Sequence, residues 1–97
     1  MSNFINATTI NTSFDADDST AQVLAAESGK RVGLMIYNGS SNNLYCLIDG
    51  IATTSAYSFK LIPGAYYEMP KEYYTDKVTG IWDGTNGTAK VTEIKRS

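Results

Sequence analysis

Ninety-seven residues, 42% of them hydrophobic, can build one core and no more. The formal net charge is -2 and the eight Lys and Arg are scattered along the chain, so there is no basic stripe for a phosphate backbone and nucleic acid is not expected as a partner. With no histidine the commonest general base and zinc ligand are missing, and with one cysteine, Cys46, an internal disulfide is excluded.

The first twenty residues, MSNFINATTINTSFDADDST, are mostly polar, with Phe4, Ile5, Ile10 and Phe14 the larger apolar residues. This composition reads as an extended N-terminal arm over 1–20, set apart from a domain over 21–97. The stretch has neither a basic start nor an apolar run, and no run of about eighteen apolar residues follows, so neither a signal peptide nor a membrane contact is expected. Sequons at Asn6, Asn11, Asn38 and Asn86 are what a chain rich in Asn, Ser and Thr produces by chance. Asp15 and Asp17 stand where a calcium loop would begin. That loop needs a glycine where Thr20 sits and a bidentate Glu where Ala26 sits, so a solvated acidic turn is expected and no metal.

From Ala21 onward short apolar runs alternate with turn residues: AQVLAA, RVGLMIY, LYCLI, YSFKL, YYEM, KVTGIW and TAKVTEI, separated by ESGK, NGSSNN, DG, IPGA and DGTNG. Runs this short leave room for strands and little else. The fold class predicted is all-β: a single antiparallel β-sandwich or jelly-roll-like barrel of seven to eight short strands. Asn38-Gly39, Asp49-Gly50, Asp83-Gly84 and Asn86-Gly87 are pairs that tolerate positive φ in tight connections. LYCLI predicts a buried strand in which Cys46 is a small apolar group.

In YSFKLIPGAYYEMP, Tyr57, Phe59 and Leu61 alternate with Ser58 and Lys60, which makes one pleat face apolar. Pro63 and Gly64 fit the two central positions of a type II turn, and a hairpin is expected, its return strand ended by Pro70. The aromatics are then sheet formers and core before they are a ligand platform. RVGLMIY and LYCLI are apolar on both faces, which a sandwich uses only once. Gly33, Met35, Tyr37 and Tyr45 on the second faces, with the half-polar Tyr66, Tyr67, Tyr73 and Tyr74, are therefore the candidate subunit interface, and a homo-oligomer is expected. No catalytic constellation stands out, so the chain reads as a non-enzyme with no cofactor.

RVGLMIYN, YSFKLIPGAYYEMP and VTGIWDGTNGTAKVTE together resemble the small structural proteins of tailed bacteriophages, over about Val23 to Glu93. The resemblance implies a virion component made in the bacterial host cytoplasm, foremost a capsid decoration or cement protein that binds the major capsid protein and stabilises the head shell. Its three-fold positions favour a trimer. The alternatives are a head-fibre, neck or tail component and, from another class, a carbohydrate-binding module stacking sugars on Tyr66, Tyr67, Tyr73, Tyr74 and Trp82.

Overall fold

The computed structural model describes residues 7–70 and 75–96, and these form no helix. Eight strands follow in order: β1 (Ala7–Asp15), β2 (Gln22–Ala25), β3 (Arg31–Asn38), β4 (Leu44–Ile48), β5 (Phe59–Leu61), β6 (Tyr66–Glu68), β7 (Val78–Trp82) and β8 (Thr88–Arg96). They build two antiparallel four-stranded sheets, β1-β8-β3-β6 and β2-β7-β4-β5, in an all-β sandwich.

The inward pleat faces make the core. Leu34 and Ile36 of β3 and Ala89 and Val91 of β8 meet Leu24 of β2, Leu44 and Cys46 of β4, Leu61 of β5 and Val78 and Trp82 of β7. Period-two alternation delivers this directly: in β3, Leu34, Ile36 and Asn38 are buried while the intervening Met35 and Tyr37 face out. Burial of this apolar surface at about 25 cal/mol per Å2 is the main favourable term.

Two expectations change. Residues 1–20 were set apart as an arm, but Ala7–Asp15 is joined to β8 by nine register pairs, and Ala16 enters the core. The domain therefore includes these residues. β1 is exposed at every position but Phe14, and this explains its polar composition: it is an edge strand held by backbone pairing rather than by burial. The second change concerns the hairpin. β5 lies in one sheet beside β4 and β6 in the other beside β3, so the segment around Pro63-Gly64 is an arch that carries the chain from sheet to sheet. Phe59 and Tyr67 consequently meet through their rings, stacked at 3.9 Å and 15°, where a hairpin would have paired their backbones. The turn itself has the geometry Pro-Gly dictates, with Gly64 at φ 83° and the Ala65 N–H donating to the Ile62 carbonyl at 2.9 Å.

Six of the seven connections change sheet, the exception being β4 to β5. Buried polar groups tie these crossings down. Asn38, fully buried, donates from Nδ2 to the carbonyls of Asn42 and Leu61 at 2.8 Å each and accepts from the Ser40 hydroxyl at 2.7 Å, which locks the β3–β4 loop to the arch. At the far end Arg31, also buried, pairs with Glu93 at 2.9 Å and donates to the carbonyls of Asp76 and Ala26 at 2.8 and 2.6 Å. A buried guanidinium with carboxylate and carbonyl partners meets the requirement that interior charge be paired.

Candidate functional site

The candidate interface residues fall into separate places. Gly33, Met35 and Tyr37 lie on the outer face of the β1-β8-β3-β6 sheet, and the β3–β6 register sets Tyr66 opposite Tyr37 and Glu68 opposite Met35. The next strand adds Lys90 opposite Tyr37, Thr92 opposite Met35 and Ile94 opposite Gly33. A Cβ on Gly33 would stand 3.3 Å from Ile94 Cδ1, so the missing side chain is what lets Ile94 lie across β3. Tyr37 is 46% and Tyr66 54% exposed, large values for rings on a central and a flanking strand. The Tyr66 hydroxyl donates to Glu68 Oε1 at 3.1 Å, and desolvation, then that bond and the carboxylate's charge, raise the phenol pKa above its ordinary value.

The other tyrosines are elsewhere. Tyr45 is on the outer face of the second sheet, edge-on to Tyr57 at 5.0 Å and 67°, with the Lys60 ammonium 5.9 Å from its ring centroid. Tyr67 is turned inward onto Phe59. Tyr73 and Tyr74 lie outside the described residues. Pro63 and Gly64 form the arch between the two sheets, the Gly64 N–H donating to the Asn38 carbonyl at 2.7 Å.

This division answers the question posed by two-faced strands. On β4 the second face is covered by the chain's own β4–β5 segment: Ala52 is buried, its N–H donating to Thr79 Oγ1 at 2.9 Å, and Tyr57 stands against Tyr45. Among the described residues, the second face of β3 has Ile94 over Gly33, Met35 is half-buried, and Tyr37 and Tyr66 stay exposed. The outer-face partners Glu68, Lys90 and Ile94 went unnoticed in the sequence, although the Lys90, Thr92, Ile94 alternation of β8 marks a face of mixed character.

The acidic turn has its own structural account. Asp17 Oδ1 accepts from the Ser19 N–H and hydroxyl and from the Thr20 N–H, and Oδ2 from Gln22 Nε2, and these bonds, the Ser19 N–H first, lower its pKa. No group of three metal-ligating side chains occurs among the described residues, and no pocket opens among them.

No protein-family model matches the chain. No curated protein matches it either. Among solved structures it is similar to that of PliG from Aeromonas hydrophila, a periplasmic inhibitor of g-type lysozyme, with a TM-score of 0.44 and 11% identity over the whole of this chain and 91% of that one. Nothing in these comparisons supports the virion assignment, and it is corrected: the decoration or cement role, the head-fibre, neck or tail alternatives and virion localisation are withdrawn. At that identity and TM-score the likeness transfers no inhibitory activity to this chain. The carbohydrate-binding alternative also goes: Trp82 is wholly buried and Tyr67 is stacked inward, so neither offers a face to a sugar ring.

Proposed function

We infer that this chain is a non-enzymatic protein-binding domain that associates with copies of itself. The observation that carries the reading is the exposure of Tyr37 and Tyr66, beside the half-buried Met35, on a face that no other described segment covers beyond Ile94, while the β4 face of the second sheet is partly covered by the chain's own loop. Tyr and Met are residue types enriched at the centres of protein interfaces, Tyr because it buries much area at small cost in rotamer entropy and Met because its flexible thioether adapts to irregular surfaces. Lys90 and Glu68 at the margin supply a charged rim of both signs, suited to a self-complementary contact. The trimer preference rested on the three-fold positions of a capsid and lapses with the virion assignment; self-association does not depend on it.

Light scattering on the purified chain tests this reading. The wild type should exceed the monomer mass, and Tyr37→Lys, which puts an ammonium at the centre of the patch, should weaken association at least tenfold while leaving the β-sheet circular dichroism unchanged. A wild type that stays monomeric, or a Tyr37→Lys variant that associates as well as wild type, removes the patch from consideration.

A further inference from the structure

The two sheets end in four edge strands, and three of them are built to resist pairing. β6 has three residues, carries Glu68 and runs into Pro70; β5 has three and carries Lys60; β2 has four and is kinked by a register shift between Val23 and Ala25. Shortness, charge, proline and bulges are the devices by which sheet proteins blunt their edges. β1 has one charge, Asp15 at its last position, and none of the other devices. It spans nine residues in unbroken register with β8, its residues Ala7 to Phe14 carry neither charge nor proline, and no strand lies on its other side among the described residues.

The backbone parity of that edge is fixed. Ala16, one residue beyond β1, donates its N–H to the Gly87 carbonyl at 2.9 Å, which continues the Ala7↔Arg96 register by one pair. In an antiparallel ladder hydrogen-bonded residues alternate with unbonded ones, so even-numbered residues of β1 turn their backbone groups to β8. Ala7, Thr9, Asn11, Ser13 and Asp15 turn theirs to the open edge.

We propose that the open edge of β1 is the seam of a two-fold dimer in which a second copy's β1 pairs antiparallel to it with Asn11 on the axis. In that register Asn11 faces Asn11, Thr9 faces Ser13 and Ala7 faces Asp15, so all five outward residues form hydrogen-bonded pairs and, at two bonds each, ten backbone bonds close the seam. Centring on Thr9 or Ser13 leaves two of the five unpaired, and centring on Asp15 opposes two carboxylates. The pairing also brings Thr12 of the second copy beside Ile10, an isoleucine 41% exposed, and Thr8 beside Phe14. Hydroxyl and amide side chains with no charge between Ala7 and Phe14 fit a copy of themselves and carry nothing that selects a charged strand. The two-fold is perpendicular to the sheet, so both copies of the Tyr37 and Tyr66 patch lie on one side of a continuous eight-stranded sheet. The choice of a second copy as occupant rests on the self-association reading above; the open edge itself does not.

The test compares the wild type, Thr9→Pro/Ser13→Pro and Tyr37→Lys by light scattering. Proline at these two positions removes outward N–H groups that the β8 ladder does not use, and with both copies changed it deletes four of the ten bonds. The mass should halve in the proline variant with the β-sheet spectrum retained. Amide exchange in the wild type is a second readout that needs no variant: the Thr9, Asn11 and Ser13 amides should become protected as concentration rises. A proline variant that keeps the wild-type mass while Tyr37→Lys lowers it overturns the seam and leaves the patch reading standing. Loss of association in the proline variant alone upholds the seam and overturns the patch reading. A wild type that is monomeric with fast-exchanging Thr9, Asn11 and Ser13 amides overturns both.

Discussion

Removing the Glu93 carboxylate should be among the costliest single changes in the molecule. The Arg31 guanidinium has no exposed surface, its Nε lies 2.9 Å from Glu93 Oε2, and the Glu93 side chain is only 12% exposed. Glu93→Ala takes a carboxylate partner away from a buried cation, a change that costs about 3–5 kcal/mol where the charge is left uncompensated; the partial exposure of Glu93 and the other partners of Arg31 set the expected value at the lower end, about 3 kcal/mol. Lys95, 3.8 Å from the other carboxylate oxygen and 32% exposed, adds little in either direction. Arg31→Met removes the charge with its side chain but strands the carbonyls of Asp76 and Ala26, at about 1–3 kcal/mol each if water does not reach them. Because each single change damages the other's partner, the double variant Arg31→Met/Glu93→Ala should be less destabilised than the two singles added, by about 1–3 kcal/mol. Urea unfolding of the four proteins measures this cycle. A Glu93→Ala cost under about 1 kcal/mol together with strict additivity would refute the buried pair as a determinant of stability.

Burial pushes the Cys46 thiol from its ordinary value of 9.0 up to about 12. A pKa raised in the folded state gives stability that is whole below pH 9.0 and is lost between there and about 12, so the melting temperature should fall over that range and fall less in Cys46→Ala; parallel curves would exclude Cys46 as a contributor. Gly64→Val forces a β-branched residue to φ 83° and should cost about 1–2 kcal/mol, while Gly64→Asn should cost less; equal unfolding midpoints for the two would show that positive φ is not required there. Gly80→Ala places a methyl 2.7 Å from Leu24 Cδ1 and 2.9 Å from Leu44 Cδ1, and the overpacking should outweigh the entropic gain by about 1 kcal/mol; a variant more stable than wild type would mean that the leucines repack freely.

The strands were legible because they are short and bounded by turn chemistry, and Cys46 was legible as a core residue of an apolar strand; which pleat face of β3 turns inward was not, because RVGLMIY is apolar on both, and it is Leu34 and Ile36 that reach the core. Which strand pairs with which was hidden. Tyr57, Phe59 and Leu61 followed by Pro63-Gly64 have the local pattern of a hairpin, and only the competition of β4 and β3 for β5 and β6 decides that the turn is an arch. Arg31 and Glu93 are sixty-two positions apart, and a charge at the head of an apolar strand reads as a solvated strand end until the fold closes over it.

The candidate site was legible in one half for a related reason. A strand apolar on both faces states that its second face is covered, but not by what. For β4 the cover comes from residues just downstream, and Tyr45 leaves the interface; for β3 no other described segment supplies one beyond Ile94. β1 shows the converse. Its polarity argued for a segment outside the fold, since a strand is recognised by the side chains it buries and β1 buries almost none. What holds β1 is mainly one row of backbone bonds, which any sequence without proline can make, helped by Lys90 donating to Ser13 Oγ at 2.7 Å, Thr92 donating to Asn11 Oδ1 at 2.6 Å and Phe14 against the core; its other side offers a second such row. Edge function is therefore invisible to hydrophobic patterning, and it shows only when the other edges of the same protein are found blunted and this one is not.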